Sequence, residues 1–197
     1  MKYDLAKKPT RGAQRTLEAF SSTMFRLISE QPFERISVNQ LCRLSNYPRA
    51  TFYNYFDDKY DLLEYCWYVL GEQIRLQKFT QVPSTQMLTI YFDRFYDLLS
   101  ERYSWLKKVL KVNSLNSALM LSFIEYLKKQ TRKIFYTCIS SKKYQQTNAI
   151  PIELLADHYS DTILLVLEWI FFKQNMTSKH EAHLFLATLL PDTVSID

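Results

Sequence analysis

Two glycines, Gly12 and Gly71, serve a chain of 197 residues, and that scarcity narrows the fold more than any other feature. Tight hairpin turns draw on glycine for positive φ, and glycine-rich phosphate loops need it for close backbone approach. Both are argued against. The apolar material, 47% of residues with 15% aromatic, recurs instead at three- and four-residue spacing, which asks for long helices. The length is ample for a sizeable core, in one large domain or two small ones. The expectation is an all-α chain of about nine helices.

One stretch, residues 36–59, organises the rest. Ser37 followed by Gln40 forms a capping box, with Ile36 and Leu41 at the hydrophobic-staple positions around it. A helix therefore starts at Ser37, with Val38, Leu41 and Leu44 as its apolar face. It stops near Asn46, a residue that tolerates the left-handed conformation ending a helix. Pro48 suits the first turn of a second helix, where its missing N–H is not needed. Helix, short turn, helix is the layout of a DNA-binding helix-turn-helix.

The second helix has an exposed face suited to nucleic acid. Arg49 can grip a guanine edge with two parallel hydrogen bonds. Thr51, Tyr53, Asn54 and Tyr55 offer hydroxyls and an amide to phosphates or base edges. Phe52 and Phe56, four apart, are the inward anchors. On this pattern alone, a helical hairpin whose Tyr and Phe merely pack stands level with the DNA reading.

The run Ser37-Val38, Leu41, Asn46-Tyr47-Pro48, Ala50-Thr51-Phe52-Tyr53, Tyr55-Phe56, Asp58-Lys59 and Leu62-Leu63 resembles the DNA-binding domain of the TetR family of bacterial transcriptional regulators. The resemblance covers roughly residues 10–65. Asn46 replaces the family's turn glycine, Tyr47 a small aliphatic residue and Pro48 the common Ser cap. The last two stand where base contacts are made, which bears on the operator sequence. The resemblance implies DNA contacts at Ser37, Tyr47, Pro48, Arg49, Ala50, Thr51, Tyr53, Asn54, Tyr55 and Lys59.

Charge leans the same way. Residues 1–60 hold ten Lys/Arg against six Asp/Glu, hence +4, while residues 61–197 hold fifteen against fourteen, hence +1. A phosphate-binding surface wants such an excess, though a difference of three charges is supporting evidence only. Residues 1–11 read as a flexible basic arm with Lys8 and Arg11 placed to follow the DNA. From about Gln14 to Ser29, Leu17, Phe20, Ser21, Met24, Phe25 and Ile28 form one helical stripe, ended by Pro32. Asp58 with Asp61 caps a fourth helix, whose first-turn Lys59 suits a phosphate at the same N-terminus. The domain expectation is residues 1–58 for DNA, a linking helix 58–79, and residues 80–197 for a helical effector-binding and dimerisation domain.

In that second part, helices are expected over 84–101, 103–111, 115–140 and 152–172. Ser178 with Glu181 opens a last helix. Residues 152–172 are apolar on more than one face, as in a central helix or one facing a partner. The resemblance implies a homodimer through the last two helices, with Leu165, Trp169, Phe172, Leu186 and Leu190 as interface residues. Tyr91, Phe92, Phe95, Trp105, Phe123 and Tyr126 are candidates to line a pocket for a small apolar or aromatic effector.

Other function classes find no support. Cys42, Cys66 and Cys138 are widely spaced, which suits a reducing cytosol. His180 and His183 share a helix face without a carboxylate or Cys set around them, so no metal site and no cofactor is expected. No catalytic motif appears, and an enzyme is not expected. The longest apolar stretch, residues 162–172, falls far short of the roughly 20 needed to span a bilayer. The expected function is a cytoplasmic, homodimeric repressor binding a palindromic double-stranded operator and released by an effector. A coactivator of helix-turn-helix shape, docking on another regulator, is the alternative.

Overall fold

The computed structural model describes residues 9–73, 84–139 and 150–190. Among these there is no strand, and nine α-helices run in chain order: α1 Arg11–Leu27, α2 Val38–Ser45, α3 Arg49–Tyr55, α4 Lys59–Gln73, α5 Ser84–Glu101, α6 Tyr103–Val112, α7 Ala118–Ile139, α8 Ile152–Leu167 and α9 Lys179–Leu189. Among the described residues no helix is long and apolar enough to cross a membrane. Residues 74–79 of the expected linking helix and the stretch 141–148, between the helices expected over 115–140 and 152–172, lie outside the described residues.

Two compact units result. The first is the described part of Met1–Gln73 together with Ser104–Ser122. Its centre is aromatic: Phe20 of α1 meets Phe52 at 5.3 Å and Phe56 at 6.2 Å, both edge-on. Of the stripe read from the sequence, Leu17, Met24 and Ile28 are at most 1% exposed and Ser21 is buried, while Phe25 is half-buried. α1 starts earlier than expected, because Thr10 Oγ1 accepts the Ala13 N–H at 3.2 Å and sets the cap there.

α6 belongs to this unit. Trp105 Nε1 donates to the Phe25 carbonyl at 3.0 Å, and the two rings meet edge-on. Asn113, just past α6, is 2% exposed and donates from Nδ2 to the carbonyls of Ile28 (2.8 Å) and Val109 (3.1 Å). Trp67 of α4 donates to Ser122 Oγ at 2.9 Å. The unit thus reaches well beyond a boundary drawn at residue 80, since these bonds join positions some 55 to 85 apart in sequence.

The second unit comprises Ile74–Tyr103 and Phe123–Asp197, of which α5, most of α7, α8 and α9 are described. Tyr91, Phe92, Phe95, Ile163, Ile170, Phe171 and Leu186 are at most 2% exposed and form its core. Antiparallel polar rungs flank the core. Lys179 and His183 of α9 face Asp97 and Asp93 of α5, and Lys128 and Arg132 of α7 face Asp161 and Asp157 of α8. The single helix expected over 152–172 becomes α8 and then a π-helical turn, Glu168–Phe172. Gln174, at φ 58°, ends it in the left-handed region. The Ser178–Glu181 capping box forms with both reciprocal bonds, at 3.0 and 3.2 Å.

Candidate nucleic-acid interface

The hairpin of α2 and α3 is built from its caps. Ser37 Oγ accepts the Gln40 N–H at 3.2 Å. The return bond expected of Gln40 gives way to another, since Gln40 Oε1 accepts from Gln31 Nε2 at 2.9 Å and ties α2 to the preceding loop. Asn46 ends α2 in the left-handed region, φ 60° and ψ 39°. The Tyr47 N–H closes the turn on the Cys42 carbonyl at 3.0 Å. The buried face of α2 is Leu41 and Cys42, while Leu44, expected inside, is 39% exposed. Pro48 takes the cap position itself, so α3 begins at Arg49.

Phe52 and Phe56 are fully buried, as their spacing required. Their anchoring turns the opposite side of α3 outward. Ser37, Pro48, Arg49, Ala50 and Asn54 are exposed, while Tyr47, Thr51, Tyr53 and Tyr55 are half-buried. Arg49 Nη2 donates to the Tyr53 hydroxyl at 2.9 Å, and its guanidinium stands 5.5 Å from the Tyr53 ring centre. The Arg side chain is thereby held along the helix one turn on, which limits the rotamer freedom it has left to lose on binding. Tyr47 lies against Phe20, with ring centres 5.6 Å apart, so part of its bulk is taken up by packing on α1. The segment 37–56 carries Arg43 and Arg49 and no carboxylate. Arg43, exposed on α2, escaped the sequence reading; its charge inside the motif was the available signal.

Lys59 behaves differently from its expected part. Its ammonium donates to the carbonyls of Phe33, Glu34 and Ile36, each at 3.0 Å, and sits 4.6 Å from the centre of the Phe33 ring. Three bonds use all three N–H donors of a lysine. Burial pulls its pKa below the ordinary lysine value, while Glu34 and Asp58 pull it back up. A phosphate at this side chain would have to displace a carbonyl. The α4 cap is also shared out otherwise than expected: Asp58 Oδ1 accepts from Tyr60 and Asp61, and Asp61 reaches back to the Asp57 N–H at 2.9 Å.

Arg11, read as part of an arm, is the exposed first residue of α1, and Lys8 lies outside the described residues. Of the six aromatic pocket candidates, Tyr91, Phe92, Phe95 and Phe123 are buried in the second unit and Tyr126 is half-buried there. Trp105 stands apart, serving α1 in the first unit. The five expected interface residues also separate. Leu165 and Trp169 are 53% and 49% exposed, whereas Phe172, Leu186 and Leu190 are 4%, 1% and 2% exposed and already covered within their own unit. The exposed apolar residues of α9 are Leu184, Phe185 and Leu189. They are the neighbours of the expected pair, because α9 is apolar on both sides and spacing alone does not tell them apart. The thiols of Cys42 and Cys66 are buried and pushed up by burial, the first eased by nearby Arg49.

Residues 23–66 match the model of the family described as bacterial regulatory proteins, tetR family. A search of curated proteins finds no match. Among solved structures, a protein from Syntrophomonas wolfei described as a TetR-family transcriptional regulator matches with a TM-score of 0.62 at 16% identity, over 93% of this chain and 97% of that one. NalD, described as the secondary repressor of the MexAB-OprM multidrug efflux pump in Pseudomonas aeruginosa, matches at 0.55 and 14% identity, over 92% and 98%. A Clostridium perfringens protein described as a fatty acid metabolism regulator matches at 0.54 and 16%, over 91% and 100%. At these identities the structures speak for the fold, and the matched segment speaks for the family. Over residues 23–66 the chain is similar to the TetR family of bacterial regulatory proteins, and its fold is like that of solved regulators.

Proposed function

We propose that the chain is a cytoplasmic, homodimeric transcriptional repressor. It reads a palindromic operator through α2 and α3 and leaves it when a small apolar or aromatic effector binds the part beyond residue 80. The observation that carries this reading is the outward face of α3: Arg49, held by Tyr53, stands among exposed Pro48, Ala50 and Asn54 above the buried Phe52 and Phe56. A rigid helix with an always-charged fork on its first turn is suited to a guanine edge in the major groove. Dimerisation is supported by Leu165, Trp169, Leu184, Phe185 and Leu189, five large apolar side chains 39% to 53% exposed on the last two helical segments. A twofold axis gives two copies of α3, as a palindromic operator requires. The likeness of fold to a protein described as a repressor supports repression over activation.

Genomic footprinting of the tagged protein supplies the site, and a mobility-shift titration on that duplex tests the reading. Arg49→Ala abolishes selectivity for the site. Affinity falls about 10³-fold or more between 50 and 200 mM salt, as six or more phosphate contacts require. Binding indifferent to salt and to Arg49 refutes the proposal. Recovery of a second regulator with no shift by the pure protein moves the assignment to a coactivator.

A further inference from the structure

The short turn between α1 and α2 is held by two side chains from far along the chain. Lys59 takes the carbonyls of Phe33, Glu34 and Ile36. Asn113 takes the turn's Phe33 N–H on Oδ1 at 2.9 Å, while its Nδ2 holds Ile28 and Val109. The turn leads directly into the cap of α2, for Ile36 is buried and Ser37 is the N-cap. Where the turn sits therefore fixes where α2 starts, and through the Asn46 turn it fixes α3.

We propose that Lys59 and Asn113 are positioning residues for DNA binding, which clamp turn 33–36 and so set the placement of α2 and α3. This rests on the DNA-binding reading above. Asn113 is 2% exposed, so its effect on DNA must run through the turn. For Lys59 the clamp and a phosphate contact make opposite demands. Three carbonyls converging on one nitrogen suit an ammonium, and the planar guanidinium of arginine spreads its donors over separate atoms. Arginine would still satisfy a phosphate.

The test compares wild type, Lys59→Arg, Lys59→Met and Asn113→Leu on a duplex carrying the strongest footprinted site. Melting curves and hydrogen exchange are recorded on the same full-length proteins. The clamp predicts that Lys59→Arg loses about tenfold in affinity, the scale of one misplaced base contact, as do Lys59→Met and Asn113→Leu. The salt slope stays at the wild-type value in all of them. Amide exchange rises in residues 33–41 and is unchanged in α9. The proposal is overturned if Lys59→Arg binds as wild type does while Lys59→Met lowers the salt slope by about one, the mark of a lost phosphate contact. If Lys59→Arg does not fold, Asn113→Leu carries the comparison, and wild-type affinity in a folded Asn113→Leu overturns the clamp. If wild type shifts no duplex, the DNA reading fails; unchanged exchange in residues 33–41 of the variants then overturns the clamp as well.

Discussion

Phe52→Ala tests whether the reading helix is held from beneath. Phe52 is fully buried, and its ring centre lies 5.3 Å from Phe20 of α1 and 5.4 Å from Phe56. Truncating a buried Phe to Ala costs about 3–5 kcal/mol through lost transfer energy and the cavity left behind. Phe52→Leu keeps most of the volume but gives up three ring pairs, with Phe20, Tyr53 and Phe56, at about 0.5–1.5 kcal/mol each, so it should cost about 1.5–4.5 kcal/mol, less than Phe52→Ala, which loses the same pairs and leaves a larger cavity. Leu44→Ala in the same hairpin is the control. Leu44 is 39% exposed, and a surface change of this kind stays within about 0.5 kcal/mol. The assay is urea unfolding followed by tryptophan fluorescence. Trp67 and Trp105 belong to the first unit and Trp169 to the second, so a Trp169→Phe background confines the signal to the unit in question. An order Phe52→Ala > Phe52→Leu > Leu44→Ala is expected, at similar m-values. A cost for Phe52→Ala within about 1 kcal/mol of the Leu44→Ala control would show that α3 is not anchored by this ring and would undo the argument for its outward face.

Three further outcomes follow from local geometry. At Asn46, φ 60°, a β-branched Val costs about 1–2 kcal/mol or more, whereas Gly stays within about 1 kcal/mol, its ease in the left-handed region being offset by unfolded-chain entropy; urea midpoints measure both. Glu181 is held below the ordinary glutamate pKa by its bonds to the Ser178 hydroxyl and N–H. The α9 cap is therefore at full strength above the ordinary glutamate value and weakens as pH falls through the lower folded one. Exchange protection of α9 amides should drop on that acid limb in wild type and show no such limb in Ser178→Ala. Cys42 and Cys66, with buried thiols pushed up, should resist iodoacetamide in the native protein and react in urea, as peptide mapping by mass spectrometry would show.

The parts of this fold legible in the sequence are those fixed by near neighbours. The Ser37 cap, the left-handed Asn46, the inward pair Phe52 and Phe56 and the Ser178–Glu181 box each depend on residues within four positions of one another, and each stands where spacing put it. Two local readings missed for local reasons. Gln40 had two partners in reach and took Gln31, and Leu44 lost its place inside to Cys42, since a short helix has room for only one buried edge. Longer-range features were illegible. An Asn after an apolar helix reads as an ordinary cap, and nothing near Asn113 announces that its carboxamide meets Ile28 and Phe33 some 80 positions upstream.

Lys59 shows how a residue placed by a motif can find a second task within the fold. A lysine on the first turn of a helix opposes the helix dipole, and an anion from outside is one way to relieve that conflict. The chain supplies another from within. Three carbonyls of the turn 33–36 point their negative ends at the ammonium, and the Phe33 ring lies beside it. The lysine's charge is thus answered by uncharged oxygens. On the proposed reading, a side chain so engaged would serve DNA affinity by keeping α2 and α3 in place, leaving direct contact to exposed Arg43 and to Arg49, which donates to the Tyr53 hydroxyl on its own helix. On that reading the hairpin's outward face would carry recognition, and the turn behind it the geometry that recognition requires.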